Sequence, residues 1–554
     1  LYNSKYKKQR KKGNIKMKSK KREIQIIVIL LIIQTIIYIY VGTQKSYLHI
    51  DEAYSYGLTN YKQIEIQDNE DFYNNWHNKE YYEDYLSIQK EEEGNLKPVY
   101  ENQKNDVHPP LYYLFLRIAM GFTKEHFSKW TGIGLNIIIY AFITICMYLI
   151  LKKILKEEKN TNKKAIILAF ISSIILASLS NVVYIRMYSL LTLEILITAF
   201  LHIKLLENEK TNKTIEESKT KEKSTKTLIA IGITTLAGIL THYYYLFYIA
   251  TLYIIFMIKY IKEKKKKELI QYTLTMIIAG ITSLIIFPYS IKHMFFGYRG
   301  QGVISNIKNI SEIIPSIIAQ LHVLNYYAFN NLLYIIILII IGILIYKKIA
   351  KNEKLKISKE NKEILKTIYI PTIIFFIIAT IASPWKVLRY IVPICGLAFI
   401  LVIYYLYKLL QSISNEKISN ILIGILLCIT IISPIILKME PELLYTDKKE
   451  IVQKLEGEYN LPTIYLFNSK NGGFLDDILL FSKIDESYIA KNINYSKEEI
   501  EKIIEGKDIS KGIIIFINER ENNEKIINNV KEYLNLKNAE KLKQLNGCDI
   551  YFLN

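Results

Sequence analysis

Eleven apolar runs constrain this chain more than any other feature, at about 24-42, 130-151, 165-180, 182-206, 227-241, 243-261, 269-288, 331-347, 365-383, 387-409 and 418-437. Most approach the ~20 residues that a helix needs to cross a ~30 Å hydrocarbon core. Hydrocarbon offers the backbone no hydrogen-bond partner, so each run is expected to be helical. The runs predict a polytopic α-helical membrane protein. One further apolar stretch, PPLYYLFLRIAMGF at 109-122, is only about 14 residues long, opens on two prolines and holds Arg117 in its middle. Its length predicts an interfacial helix.

Charge sets the orientation. The 554 residues carry 72 Lys and Arg against 52 Asp and Glu, a formal +20. Most of the lysines occur in short blocks between apolar runs, where they report topology and attraction to anionic lipid; no nucleic-acid partner is expected. With the basic segment 1-23 inside and 109-122 not spanning, the lysine-rich junctions at 152-164, 210-226, 259-267 and 346-366 all fall on the cytoplasmic side, as the positive-inside rule asks. The loop 43-108 then faces out, and it holds 14 Asp or Glu against 6 Lys and no Arg. The expected organisation is a cytoplasmic N-terminus 1-23, a transmembrane domain 24-437 with an outer loop 43-129, and a small extracytoplasmic α/β domain 438-554. In the last part short strand-like and amphipathic pieces alternate with polar turns, and no glycine-rich phosphate loop is present. Cys146, Cys395 and Cys428 lie within apolar runs and Cys548 stands alone, so neither a disulfide framework nor metal-ligand spacing is visible.

In this orientation the ionisable residues beside the spans collect on the outer face. Asp51 and Glu52 follow the first span, His108 precedes the interfacial helix, Arg186 and Tyr188 open the fourth span, and His242 and Tyr243 join the fifth to the sixth. Arg299 lies in the loop between spans seven and eight, and Lys386, Arg389 and Tyr390 open the tenth. Charges at a hydrocarbon boundary are costly and are retained for a partner or a function. Carboxylates beside several cations suit a reaction in which one carboxylate takes a proton and the cations hold an anionic leaving group. Each residue also has a plainer reading. The carboxylates belong to an acidic loop, Arg186 and Arg389 could anchor headgroups, Arg299 is a solvated loop charge, and His242 sits among interfacial aromatics. The loop tyrosines Tyr54, Tyr56, Tyr61, Tyr73, Tyr81 and Tyr82 could stack on sugar rings or form an aromatic belt.

Taken together, LHIDEAYS at 48-55, HPPLYY at 108-113, the Arg-x-Tyr at 186-188, THYYYLF at 241-247 and RYIVP at 389-393 resemble the polyprenol-phosphate-dependent glycosyltransferases of the C-type fold. The protein mannosyltransferase and lipid A aminoarabinose transferase group is the most similar. The resemblance spans about residues 20 to 440. It implies transfer of a sugar from a polyprenyl-phosphate donor to an acceptor glycan, lipid or protein on the outer face, with inversion. It further implies Asp51 as general base, Glu52 as a second acidic group, His108 as part of the pocket wall, and Arg389 as a contact to the donor phosphate. Arg186 and Lys386 are further phosphate candidates by topology. No cofactor is required, although a divalent cation at Asp51 or Glu52 is compatible with the pattern. The rival reading is a transporter or flippase of lipid-linked saccharide, which commonly shows internal repeats and broken helices at mid-membrane. A third is a saccharide-binding relative without activity.

Overall fold

A computed structural model of the chain describes residues 2–60, 72–211, 217–350, 357–467, 474–518 and 522–554. Tyr61 and parts of the junctions 210-226 and 346-366 lie outside them. Among the described residues nine helices are long and apolar enough to cross a membrane, and two bent helix pairs bring the number to eleven. They fall on the eleven apolar runs, so the chain is a multi-pass helical membrane protein. Leu111–Met120, with Arg117 buried in it, is too short to span. Arg117 donates from Nε to the Asn95 carbonyl at 2.9 Å, from Nη2 to that of Glu92 at 3.1 Å, and from Nη1 to that of Thr59. The charge that argued against a span is therefore the peg on which the first loop hangs.

Both bent spans depart from the expected straight runs, and each has a local cause. Between Thr161–Ser173 and Leu176–Val183 the axis turns by 56°. There Ser172 and Ser173 turn their hydroxyls back to the carbonyls of Ala169 and Phe170, at 2.8 and 2.6 Å, in competition with the helix ladder. The run at 331-347 is preceded by an unforeseen helix, Ile313–Phe329, and the two meet at 95°. Asn330 and Asn331 occupy the left-handed region at the corner, with φ of 50° and 66°, which asparagine tolerates better than most residues. The Asn325 side chain takes up the freed Leu333 N–H at 2.9 Å.

The spans differ in how much lipid they face. Lys266–Ile286 has only 17% of its apolar window buried, whereas Tyr188–Glu209 and Val392–Gln411 each have 72%. These two enclosed helices form the centre of the bundle. Their first residues lie beside the candidate cations Arg186 and Arg389, so the chain carries those charges to the bundle axis at one end.

A six-stranded sheet covers that end: β1 (Trp76–Asn78), β2 (Thr463–Leu466), β3 (Glu486–Ala490), β4 (Ile513–Ile517), β5 (Ala539–Leu545) and β6 (Cys548–Leu553), in the order β1-β3-β2-β4-β6-β5. The pairs β3-β2 and β2-β4 are parallel, and β4-β6, β6-β5 and β1-β3 antiparallel. Strand β4 is buried along all five residues, as an IIIFI run predicts for a strand covered on both faces. Edge strand β1 comes from the first loop, more than 400 residues earlier in the chain, with Trp76 opposite Tyr488 and Asn78 opposite Glu486. Tyr47 donates to Asp477 at 2.9 Å and Tyr82 bonds Ser487 at 2.7 Å, which seats the sheet on the loop.

Candidate active site

The site is organised by a short helix, Ile50–Leu58. His49 caps its N-terminus, with Nδ1 accepting from the Asp51 N–H at 3.0 Å, and Glu52 returns a bond from the His49 N–H at 2.7 Å. This reciprocal capping box fixes the two adjacent carboxylates on different sides of the helix, because successive residues are rotated by about 100°. Glu52 is fully buried behind the helix. It pairs with Lys45 Nζ at 2.9 Å and accepts from the Ile185 N–H at 2.9 Å. It thereby ties the segment carrying Arg186 to the first loop. Asn136 holds the same segment through the carbonyls of Val182 and Tyr184, at 3.1 and 2.9 Å. A side chain on Gly132 would collide with Ile185, so close approach there requires glycine.

Asp51 faces the other way, into a cavity of about 360 Å³. Of the residues singled out from sequence, the cavity wall brings together Asp51, His108, Arg186, Tyr188, His242, Tyr243, Arg299, Arg389 and Tyr390, which arrive from six separated stretches of chain. Leu246, Phe247, Phe295 and Val303 supply an apolar side. Glu52 does not line it. Neither does Lys386, whose Nζ donates to the carbonyls of Thr380 and Ser383 at 2.9 and 2.7 Å and so caps the helix Lys359–Ala382.

One Asp51 oxygen, Oδ2, is bonded by Arg389 Nη1 and accepts from Tyr184 OH at 2.7 Å, while Arg186 Nη2 stands 3.9 Å from Oδ1. Burial by itself raises the Asp51 carboxyl. Arg186 and Arg389, aided by His49 and the Tyr184 bond, more than reverse this and hold it well below the usual carboxylate range. Arg389 keeps a buried Nε with no hydrogen-bond partner among the described residues. The Trp385 ring is close to two guanidiniums, that of Arg299 at 5.2 Å and that of Arg389 at 5.4 Å from its centroid. Both guanidiniums line the cavity.

No protein-family model and no curated protein matches the chain. Two solved structures are similar to it. One is ArnT from Cupriavidus metallidurans in the apo state, with 7% sequence identity and a TM-score of 0.46 over 95% of this chain and 97% of that one. The other is ArnT from Cupriavidus metallidurans bound to undecaprenyl phosphate, with 6% identity and the same TM-score and coverage.

Several residues of the site carry no signal in the sequence. Tyr184 acts on Asp51 only because a loop folds back beside the first helix end. Asp106 fixes His108, with 2.9 Å between Oδ2 and Nδ1. His293 lies in a π-helical turn, Lys292–Phe296, where Nδ1 accepts from Tyr243 OH at 2.9 Å and Nε2 donates to the Lys104 carbonyl at 3.3 Å. The π-turn itself, which frequently marks a functional site, has no signature in KHMFF. Among the described residues no group of three or more His, Cys, Asp or Glu is disposed to hold a metal ion.

Proposed function

We propose that the protein is a membrane glycosyltransferase that moves a sugar from a polyprenyl-phosphate donor to an acceptor on the extracytoplasmic face, with inversion. The observation that carries this reading is the cavity itself. A carboxylate and three arginines share one amphipathic chamber at an end of the bundle, beside apolar side chains suited to the first carbons of a lipid. A phosphate linked to a hydrocarbon chain is complementary to that combination in charge, shape and position.

In the reaction, the acceptor hydroxyl or amine attacks the anomeric carbon and loses its proton to Asp51. The bond from that carbon to the phosphate oxygen breaks, and its electron pair leaves with the lipid phosphate. Arg389, Arg186 and Arg299 stabilise the charge gained by the leaving group in a partly dehydrated setting. A positioned carboxylate contributes roughly 10² to 10⁴ in rate. While Arg389 holds Asp51 the carboxylate is a weak base. An incoming phosphate competes for the same guanidinium and loosens that hold, so the base gains strength when the donor is in place. Glu52 acts as a positioning residue, through Lys45, His49 and Ile185. Cations carry the charge neutralisation in this scheme; a divalent ion is compatible but takes no part in it.

The test is transfer from a radiolabelled polyprenyl-phosphate sugar by purified protein, wild type against Asp51→Asn. Transfer and release of lipid phosphate by the variant at the wild-type rate would remove Asp51 from the role of base. Orientation has a separate check. A cysteine at Lys265 should resist an impermeant thiol reagent in intact cells; labelling there would reverse the assignment of faces.

A further inference from the structure

Two histidines stand side by side in the cavity wall, their ring centroids 6.0 Å apart, and the structure gives them opposite hydrogen-bonding characters. The Asp106 carboxylate can only accept, so the 2.9 Å contact puts a hydrogen on His108 Nδ1. Burial is the largest influence on His108 and outweighs the pull of Asp106, with Arg186 acting in the same sense as burial; the ring is held below its ordinary value and is neutral at pH 7. Its Nε2 therefore offers a lone pair. His242 is the reverse. Its Nδ1 accepts the Tyr244 N–H at 3.0 Å, which leaves the hydrogen on Nε2. Neither Nε2 has a protein partner among the described residues. The wall thus presents one acceptor and one donor side by side, with the Tyr188 ring 5.5 Å from His242.

We propose that His108 and His242 form the sugar subsite, and that the sugar it takes is uncharged: one hydroxyl donates to His108 Nε2 and another accepts from His242 Nε2. This rests on the donor reading above. The sign of the cavity disfavours an amino sugar. Arg186, Arg299 and Arg389 line it against Asp51 alone, and a donor phosphodiester adds a single negative charge, so the loaded chamber is still positive. An ammonium group would enter that positive surplus and could use only one of the two ring nitrogens, His108 Nε2, because it cannot accept from His242 Nε2 as a hydroxyl can.

Binding and transfer assays with the purified full chain test this. Undecaprenyl phosphate itself is the first probe; undecaprenyl-phosphate glucose or mannose and an undecaprenyl-phosphate aminopentose are the second and third. For the wild type we expect at least about tenfold preference for a neutral sugar over the amino sugar in binding and in transfer. For His108→Ala and His242→Ala we expect binding of undecaprenyl phosphate within about twofold of wild type, and about tenfold weaker binding of the neutral-sugar donor. An amino-sugar donor bound as well as the neutral ones by the wild type overturns the proposal, with or without the variants. So does a variant that keeps both affinities. Failure of the wild type to bind undecaprenyl phosphate at all would instead remove the donor reading on which the subsite depends.

Discussion

The two ends of the bundle are both rich in charge, and they use it differently. At the end away from the sheet, carboxylates are matched by lysines and tyrosines. Glu158 accepts from Lys408 at 2.5 Å and from Tyr407 and Gln411 at 2.9 Å, with Lys164 at 3.7 Å. Glu209 accepts from Tyr260 at 2.5 Å and pairs with Lys259 and with Lys265 at 3.4 Å. Glu23 pairs with Lys152 at 2.8 Å. At the sheet end, three arginines and one carboxylate line a single cavity, with His108 and His242 beside them. A charge cluster that closes on itself joins helices. One that leaves cations in surplus around a cavity is shaped for something anionic that is not protein.

Four measurements sharpen or break this contrast. Asp51→Asn is expected to lower transfer by about 10² to 10⁴, with a smaller loss of stability than at Glu52, since the asparagine oxygen can still accept from Arg389 and Tyr184. Its neighbour should behave the opposite way. Glu52→Ala leaves Lys45 buried without its partner and should cost about 3 to 5 kcal/mol in stability, seen by detergent-solubilised unfolding before any kinetic effect. At the far end, Glu158→Gln should cost about 1 to 3 kcal/mol in stability and leave transfer by the folded protein within about twofold. A loss of transfer as large as that of Asp51→Asn would mean that the ends are not functionally distinct.

The smallest effect is on pH. His108 and His242 have values depressed in the folded protein, His242 first by burial and then by His108 and Arg186. The unfolded chain therefore takes up protons before the folded one as pH falls below about 6.5, so their contribution is present above that value and lost below it. Glu158 is depressed too, because Lys408 and its other partners outweigh burial, and its contribution is lost only in the carboxylate range. These two histidines should contribute a fall in stability of about 1 to 2 kcal/mol between pH 7 and pH 5.5. Substituting both histidines should reduce the slope by that amount.

Much of this arrangement was legible in the sequence, for reasons that differ by residue. Span number and order follow from apolar length, and Arg186, His242 and Arg389 stand out because they sit at span ends where charge is costly. The pair Asp51 and Glu52 reads as one unit in the chain, yet a helix turn sends one into the cavity and the other into the protein. Lys386, three residues from Arg389, looks equally available and is spent on the carbonyls of its own helix. Tyr184, Asp106 and Trp385 owe their places to chain reversals that leave no local mark. The strand at Trp76–Asn78 is three residues long and gains its partner only at residue 486, a distance at which no periodicity can speak.

That strand has a consequence for how the molecule is made. At a synthesis rate of about 5 to 20 residues per second, the loop carrying Trp76 waits roughly 20 to 80 seconds for its partner strand to emerge. Until then Tyr82 lacks Ser487 and Tyr47 lacks Asp477, so the floor beneath the Asp51 helix is unfinished. Synthesis interrupted before Glu486 would leave the spans between Lys20 and Ile436 made and the seat of the Asp51 helix unbuilt. The support of the site is thus supplied late in synthesis, by residues that line no part of the cavity.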